Sequence, residues 1–323
     1  MTDEPYLTRL TLRLLDGMEK LDESTKRPHV DFLKRRQLPD GGFPGREGGS
    51  DLYYTGFALR SLAVLQALSP EICEPCGAFI KTRMTSSAGV VDFFSLLVSC
   101  YLVPVGGGPD VLGSAPADWK DRVAQLLETF RTKDGGYGKV PNAHAGSTYT
   151  SFLVALAYQL LDRPIPEPVR LIEFVRGRKR EDGGFVEIAA MKRSGTNPTA
   201  AGVGILQMLE AFDAETKESV STFLAALPSS FEGGFRANDR IPVADLLSTF
   251  TGSWSLDQLG ESHRVNWERQ REYAESLQLP DGGFKGGLWD EAADVEYTFY
   301  GLGTLALAQL NTPLVTSSWH SKS

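Results

Sequence analysis

A short glycine-centred phrase returns along the chain at a nearly constant spacing. Its clearest form, Leu-Pro-Asp-Gly-Gly-Phe, occurs near both ends of the sequence, and successive copies lie roughly 48 residues apart. A fixed period of this length predicts a repeat protein in which each copy marks one supersecondary unit. The copies are Leu38–Phe43, the degenerate Ser86–Val90, Asp134–Tyr137, Asp182–Phe185, Glu232–Phe235 and Leu279–Phe284.

Each repeat contains two segments with the apolar spacing of a helix. The segment before the glycines carries many charges, as in Phe174–Arg180, whereas the segment after them is nearly uncharged and rich in small residues, as in Ala200–Leu206. A helix that is apolar all round is buried on every side, and an amphipathic helix keeps one face in solvent. We therefore expect an outer layer of first helices and an inner layer of second helices. We expect the glycines to end the first helices in a left-handed conformation.

Six helical hairpins can form an open solenoid or a closed ring, and the sequence favours an all-α (α/α)6 toroid. Six inner helices packed about 8–10 Å apart leave a central funnel about 5 Å in radius. Such a funnel is too wide for ordinary core side chains and suits a chain-like apolar ligand. The expected lining residues are aromatic: Tyr53, Tyr54, Phe94, Tyr149, Phe250, Trp254, Tyr297 and Tyr300.

The length of the chain suits one repeat domain with two short extensions. We expect an N-terminal capping helix in residues 1–26, a single toroid domain in residues 27–310 and a C-terminal tail in residues 311–323. The net charge of −8 and the pI of about 5.2 argue against a nucleic-acid partner, which usually needs a basic face. The sequence contains no membrane-spanning run and opens with no signal peptide, so the predicted location is cytoplasmic.

The loops that join the glycines to the second helices, here called the corners, carry the candidate chemistry. Corners of successive repeats should stack side by side around one mouth of the toroid. His144 lies in the third corner, Lys192 and Arg193 in the fourth, and Arg236 and Arg240 in the fifth. Cations at three neighbouring corners of an acidic protein indicate an anion site, for instance for a diphosphate. The alternative is ordinary solvated charge with a structural histidine.

Acidic side chains also recur where the second helices begin. Many of them could simply be helix N-terminal acids. Asp245 is the candidate for a base or a metal ligand, and Asp294 is a second candidate for an acid. The complete set at the mouth is Asp51, Asp92, Asp245, Asp290, Glu291, Asp294 and Glu296.

Taken together, these features resemble the prenyltransferase/squalene-cyclase repeat family, and most of all the β subunits of protein prenyltransferases. The segment His144-Ala145-Gly146-x-x-Tyr149 is similar to one that, in Rab-type β subunits, places a histidine on an isoprenoid diphosphate. The segment from Gly233 to Asp245 is similar to the one that carries diphosphate-binding basic residues and the first zinc ligand. The resemblance implies an isoprenyl diphosphate in an aromatic funnel, a zinc ion that activates a thiol, and a helical α partner subunit.

The sequence departs from the family at the zinc site. Asp245 matches the aspartate ligand, but Leu247 stands at the cysteine position and Tyr297 at the histidine position. Leucine cannot bind zinc and tyrosine rarely does, so zinc is not expected. The basic residues of the family also fail to align letter for letter with Arg236 and Arg240.

Three functions are therefore left open by the sequence. The favoured one is a prenyltransferase-type protein that binds an isoprenyl diphosphate and transfers the prenyl group to an acceptor. A second is a class II terpene cyclase that uses Asp245 or Asp294, although the acidic strings of that class, Asp-x-Asp-Asp and Asp-Cys-Thr-Ala, do not occur. The third is a non-catalytic isoprenoid-binding or scaffold toroid. The chain length of the prenyl group and the acceptor are not determined.

Overall fold

The computed structural model describes residues 4–84 and 89–312, in which helices are joined by loops and a few very short strands. Residues 86–88 of the degenerate second copy and residues 313–323 of the expected tail lie outside the described ranges. The helices are α1 (Tyr6–Glu19), α2 (Glu23–Arg36), α3 (Leu52–Val64), α4 (Pro70–Arg83), α5 (Val90–Val105), α6 (Trp119–Glu128), α7 (Thr148–Leu160), α8 (Pro168–Arg176), α9 (Thr196–Met208), α10 (Ala214–Ala225), α11 (Leu246–Gln258), α12 (Trp267–Ser276) and α13 (Val295–Asn311), with a 3-10 helix at Ser262–Arg264.

Four two-residue strands brace the first and last corners. Strand β1 (Phe43–Pro44) pairs antiparallel with β2 (Ser50–Asp51), and β3 (Phe284–Lys285) pairs antiparallel with β4 (Ala293–Asp294). In each pair the aromatic residue after the glycines lies opposite the aspartate that caps the following inner helix. The pairing therefore fixes where each inner helix begins.

The inner helices close into a ring. Each of α3, α5, α7, α9, α11 and α13 contacts the next, and α13 returns to contact α3. This closure excludes the open solenoid and confirms the all-α toroid predicted from the sequence. Within the described ranges, no helix has both the length and the apolar character needed to cross a bilayer.

The two layers differ in burial as their composition predicts. In the inner helix α9 every residue from Thr199 to Leu206 is buried, whereas the outer helix α8 buries only Leu171, Phe174 and Val175. The outer helices therefore present one apolar stripe to the ring, and the inner helices are surrounded by protein or by the central space.

The glycine pairs form tight turns that receive the outer helix of the next repeat. The first glycine of each of five pairs has φ between +91° and +96°. At Gly183 an added Cβ would lie 2.5 Å from the carbonyl oxygen of Ser219, and at Gly184 it would lie 2.6 Å from the ring of Phe223. The prediction that these glycines end the helices is wrong. Helix α8 already ends at Arg176, several residues before Gly183. Gly183 lies in a separate turn, where a residue without a side chain is needed because the next outer helix packs closely against it.

One hydrogen bond recurs in five repeats and explains a hydroxyl residue in the inner helices. The backbone N–H of the aromatic residue after the glycines donates to a serine or threonine side chain, and both groups are buried. Without that hydroxyl the N–H has no acceptor and no access to water. The pairs are Phe43 with Thr55 (2.9 Å), Tyr137 with Ser151 (2.9 Å), Phe185 with Thr199 (2.9 Å), Phe235 with Thr249 (2.9 Å) and Phe284 with Thr298 (3.3 Å).

Replacing Thr249 with valine should lower the free energy of unfolding by about 1–3 kcal/mol, since it leaves the buried N–H of Phe235 without a partner. Thr249→Ser keeps the hydroxyl and should cost about 1 kcal/mol or less, for one buried methyl group. Urea denaturation of the two variants measures the difference. Equal stability of the valine and serine variants would show that this bond does not stabilise the corner.

His29 closes the ring on its outer side by joining α2 to the last corner. Its Nδ1 accepts from the backbone N–H of Gly283 at 3.0 Å, so Nε2 carries the proton and donates to Oε1 of Gln278 at 3.1 Å. Its ring stacks on Phe284 with centroids 4.6 Å apart. Burial lowers the pKa of His29 to about 4, against an opposing effect of the bond to Gln278. His29 is therefore neutral in the folded protein, in agreement with its two hydrogen bonds.

Helix α1 lies across the end of the toroid opposite the corners. It contacts α13, α3 and α7. The hydroxyl of Tyr6 accepts from Nε1 of Trp254 at 2.8 Å, and Arg13 pairs with Asp257 near the end of α11 at 2.9 Å. Both partners lie in the C-terminal half of α11. The N-terminal helix therefore forms the floor of the central space.

Candidate functional site

The ring of inner helices encloses a cavity of about 320 Å³ whose wall is mostly apolar and rich in aromatic residues. It extends from Tyr6 on α1 to Glu187 and Asn197 at the corners. Of the eight residues predicted to line it, six do so: Tyr53, Phe94, Tyr149, Phe250, Trp254 and Tyr300. The other two, Tyr54 and Tyr297, are outside the lining.

Four further aromatic residues of the wall were not predicted from the sequence: Tyr6, Phe57, Phe152 and Phe299. Periodicity could have found two of them. Phe57 lies four residues after Tyr53 and Phe152 three residues after Tyr149, which places each pair on one face of its helix. Tyr6 could not be found this way, because only the docking of α1 brings it to the cavity.

The corners stack side by side around the mouth, as the repeat geometry predicted. The first N–H of an inner helix donates to a carbonyl oxygen in the next corner, and this contact recurs between the third and sixth repeats. The pairs are Thr148 with Glu187 (3.0 Å), Thr196 with Ala237 (2.9 Å) and Leu246 with Gly286 (2.8 Å). We call this ring of corners, residues 44–51, 138–147, 186–195, 236–245 and 285–294, the rim.

The predicted anion-binding residues lie on the rim, and some of their side chains have partners in the structure whereas others do not. His144, Lys192 and Arg240 are exposed, and their side chains have no hydrogen bond or ion pair with another described residue. Arg193 pairs with Asp239 at 2.6 Å, with both side chains about half exposed. Arg236 donates from Nε to the carbonyl oxygen of Leu227 at 3.0 Å and from Nη2 to that of Ala226 at 3.1 Å, so it is largely committed to the end of α10.

The two predicted catalytic aspartates cap helices. Asp245 accepts from the backbone N–H of Ser248 at 2.7 Å and from its hydroxyl at 2.8 Å. Burial raises the pKa of Asp245, and the bonds from Ser248 oppose that rise. Asp294 accepts from the N–H of Tyr297 at 2.8 Å and from Nε of Arg46 at 2.8 Å. Neither carboxylate lines the cavity.

Arg46, which the sequence analysis did not select, joins the first corner to the last. It donates from Nη1 to Asp290 at 2.8 Å and from Nε to Asp294, and its guanidinium lies 5.6 Å from the ring centroid of Tyr297. Burial raises the pKa of Asp290, but the bonds from Arg46 and from two backbone N–H groups outweigh it and the net shift is downward. The sequence signal for this contact is a basic residue in the first corner and acidic residues in the sixth, which become neighbours when the ring closes.

Glu296 is a partly buried carboxyl group beside the cavity. The hydroxyl of Tyr53, which lines the cavity, donates to its Oε1 at 2.7 Å. Burial raises the pKa of Glu296 to about 7, and the negative charge of Asp294 adds to the rise while the bond from Tyr53 opposes it. A carboxyl group with this pKa is half protonated near neutral pH, which suits it to general acid or base catalysis.

The residues at the zinc positions of the resembling family do not form a zinc site. Both oxygens of Asp245 accept from Ser248, Leu247 is part of the cavity wall, and the ring of Tyr297 packs beneath Arg46. Across residues 4–84 and 89–312, no three His, Cys, Asp or Glu side chains are grouped so that they could hold a metal ion. We therefore derive no chemistry from zinc.

A comparison with protein families matches residues 5–96 and 105–319 to the prenyltransferase alpha-alpha toroid domain. The chain belongs to this family. The match spans nearly all of the toroid, including the region of the degenerate second repeat. No protein of curated function is significantly similar in sequence.

Solved structures with the same fold carry different ligands. The chain is similar to protein geranylgeranyltransferase-I from Candida albicans complexed with GGPP, with a TM-score of 0.72 and 15% identity over 87% of this chain and 90% of that one. It is also similar to a type II terpene cyclase from Scytonema in complex with geranylgeranyl dihydroxybenzoate, with a TM-score of 0.57 and 14% identity over 92% and 98% of the two chains.

A third similar structure is an inactive variant of an alpha-1,6-mannanase from a Salegentibacter species in complex with alpha-1,6-mannotriose. Its TM-score is 0.62, with 11% identity over 94% of this chain and 99% of that one. Since one of these neighbours binds a sugar, the shared fold does not by itself identify a ligand. The wall of the cavity must supply that argument.

Proposed function

We propose that this protein binds an isoprenyl diphosphate, with the prenyl chain in the central cavity and the diphosphate at the rim. The observation that carries the proposal is the aromatic cavity, which α1 floors at one end and which reaches the corners at the other. A wall of this composition suits a polyene, since its aromatic and aliphatic residues outnumber its charged and amide residues. The fold shared with a geranylgeranyltransferase complexed with GGPP supports the same conclusion.

The apolar wall can supply the affinity. Burying a C15 to C20 chain at about 0.8 kcal/mol per carbon gives roughly 12–16 kcal/mol as a gross upper figure. Much of this offsets the loss of freedom on binding. The role of the rim is then to orient the ligand and to select for a charged head group.

For the diphosphate we propose His144, Lys192 and Arg240, which have no partner among the described residues, and Arg193. The pair between Arg193 and Asp239 is half exposed and should contribute little, so an incoming anion can displace Asp239. Arg236 is left out, because carbonyl oxygens already occupy two of its nitrogens.

A transfer reaction can be written with Glu296 as the base. The hydroxyl oxygen or the thiol sulfur of the acceptor attacks C1 of the prenyl chain, and the bond between C1 and the diphosphate oxygen breaks. Glu296 takes the proton that the acceptor loses. Diphosphate leaves at the rim. Acceptor-dependent release of diphosphate from geranylgeranyl diphosphate tests this step. A helical partner subunit of the α type belongs to the same proposal and is not needed for the binding test.

The cyclase alternative has weaker support. Protonation of an isolated alkene needs a far stronger acid than a carboxyl group with a pKa of about 7, which describes Glu296. Asp294 is ion-paired with Arg46, and Asp245 is bonded twice to Ser248. A scaffold without a ligand is the remaining alternative, and the titration below separates it from the proposal.

The double variant His144→Ala, Arg240→Ala should bind fluorescent farnesyl diphosphate at least about tenfold more weakly, because charge-assisted bonds at the rim are lost. Binding of the corresponding alcohol should change little, since the cavity is intact. Fluorescence titration measures both, with Arg122→Ala on the outer helix α6 as the control. Equal losses for diphosphate and alcohol contradict the rim site, and a wild-type protein that binds neither contradicts the proposal as a whole.

A further inference from the structure

One charged side chain lies inside the cavity far from the rim. Arg60 is on α3, about 12 Å along the helix from its first residue, and its side chain forms part of the cavity wall. The guanidinium carbon lies 4.0 Å from the ring centroid of Phe299 and 5.3 Å from that of Phe57. Among the residues that the structure describes, none accepts a hydrogen bond from Arg60 or forms an ion pair with it.

Arg60 is partly buried and also borders a second cavity beside α1, so its guanidinium loses part of its hydration, and the lack of an anion makes that loss costly. Removal from water lowers the pKa of Arg60, yet a guanidinium group stays charged in proteins. The two aromatic faces compensate a desolvated cation less fully than a carboxylate does. The charge of Arg60 therefore does not stabilise the empty toroid. Binding of an anionic ligand would explain why a charged group lies here.

Two neutral donors accompany Arg60. Tyr149 and Tyr300 line the cavity, and neither hydroxyl has a hydrogen-bond partner among the described residues. Removal from water raises the pKa of Tyr149 to about 12 and that of Tyr300 further, while the charge of Arg60 opposes both rises. Both tyrosines thus keep their protons at neutral pH and can donate.

The acceptors around the cavity are already engaged. Glu187 accepts from the hydroxyl of Ser147, Oδ1 of Asn197 accepts from Thr251 at 2.7 Å, and Glu296 accepts from Tyr53. The cavity consequently contains a cation and two hydroxyl donors in excess of its acceptors. A ligand that carries an anionic acceptor inside the cavity, below the rim, would match these donors.

We propose that the cavity binds a long-chain carboxylic acid, with its carboxylate on Arg60 and the hydroxyls of Tyr149 and Tyr300, and with its chain along the aromatic wall. The planar guanidinium matches a carboxylate in shape and charge. A diphosphate carries more negative charge than this single cation can neutralise in an apolar space. The inference shares only the cavity with the proposed function and does not depend on the rim site.

The test compares cis-parinaric acid, a fluorescent long-chain acid, with its methyl ester. Arg60→Met should bind the acid at least about tenfold more weakly and the ester as well as the wild type does, since only the acid carries the anion. The same variant should melt at a higher temperature than the wild type, because it removes an uncompensated charge. Arg122→Met, an exposed arginine of α6, serves as the matched control.

Tyr300→Phe keeps the ring and removes one donor, so it should weaken binding of the acid a few-fold and leave the ester unchanged. It also decides the matter if Arg60→Met fails to fold. The double variant His144→Ala, Arg240→Ala should retain acid binding, which separates this site from the rim. Equal affinity of the wild type for acid and ester, or equal losses of both in Arg60→Met, overturns the proposal.

Discussion

Replacing Arg46 with methionine should lower the free energy of unfolding by about 2–4 kcal/mol, somewhat less than the removal of one partner from a fully buried ion pair, because the Arg46 side chain is 35% exposed. Arg46 is the cation for two carboxylates, Asp290 and Asp294, which are 8% and 3% exposed. Without it both would be left buried and unpaired at the junction of the first and last repeats. Urea denaturation with a linear extrapolation gives the loss.

The chain provides a matched control for this variant. Arg35 also joins the first repeat to the last, through Asp281 at 3.8 Å, but both side chains of this pair are more than half exposed. Arg35→Met should therefore cost less than about 1 kcal/mol. Adding Asp290→Asn and Asp294→Asn to Arg46→Met should restore part of the stability. Similar losses for Arg35→Met and Arg46→Met would show that burial of the pair does not matter.

The buried His29 and the partly buried Glu296 should give this protein opposite responses to pH, and variants should separate them. The pKa of Glu296 is raised by burial from 4.5 to about 7, so its contribution to stability is complete below 4.5 and is lost as the pH rises through 7. The pKa of His29 is lowered by burial from 6.5 to about 4, so stability is lost as the pH falls from 6.5 to 4. Each shift corresponds to about 3 kcal/mol.

The loss of stability caused by Glu296→Gln, measured against the wild type, should therefore be larger at pH about 4.5 than at pH about 7, by about 3 kcal/mol. His29→Gln should show the opposite change, with greater stability at the lower pH relative to the wild type. The readout is the dependence on pH and not the absolute stability, since both side chains also make hydrogen bonds. Parallel pH profiles for the wild type and both variants would contradict the assignment of these two groups.

The architecture could be predicted because it is encoded locally and six times over. The period of the glycine phrases, the charged first helices and the small-residue second helices all lie within single repeats, and each is a consequence of which face must be buried. The stacking of corners and much of the aromatic wall follow from repeating that unit around a ring. One local inference failed: the glycines serve the packing of the next helix and not the end of their own.

Arg60 shows where a usable local signal was passed over. It is the one charged residue of an otherwise uncharged segment, Gly56–Leu62, of an inner helix. A lone arginine at such a position must either reach solvent or line a cavity. Only the placement of Phe57 and Phe299 beside it, and the lack of an anionic neighbour among the described residues, decides between these outcomes.

The sequence by itself determined the six-repeat toroid, its two layers and the place of its mouth, since these depend on periodic burial and on turns that each repeat specifies. Tertiary structure alone decided which charges meet. Arg46 and Asp294 are 248 residues apart, and closure of the ring makes them partners. It also decided that Asp245 and Asp294 cap helices while Glu296 stays protonatable, and that Tyr6 forms part of the floor. The physical reason is that pKa, pairing and access to solvent depend on neighbours brought together by folding, whereas helix amphipathicity depends on neighbours along the chain.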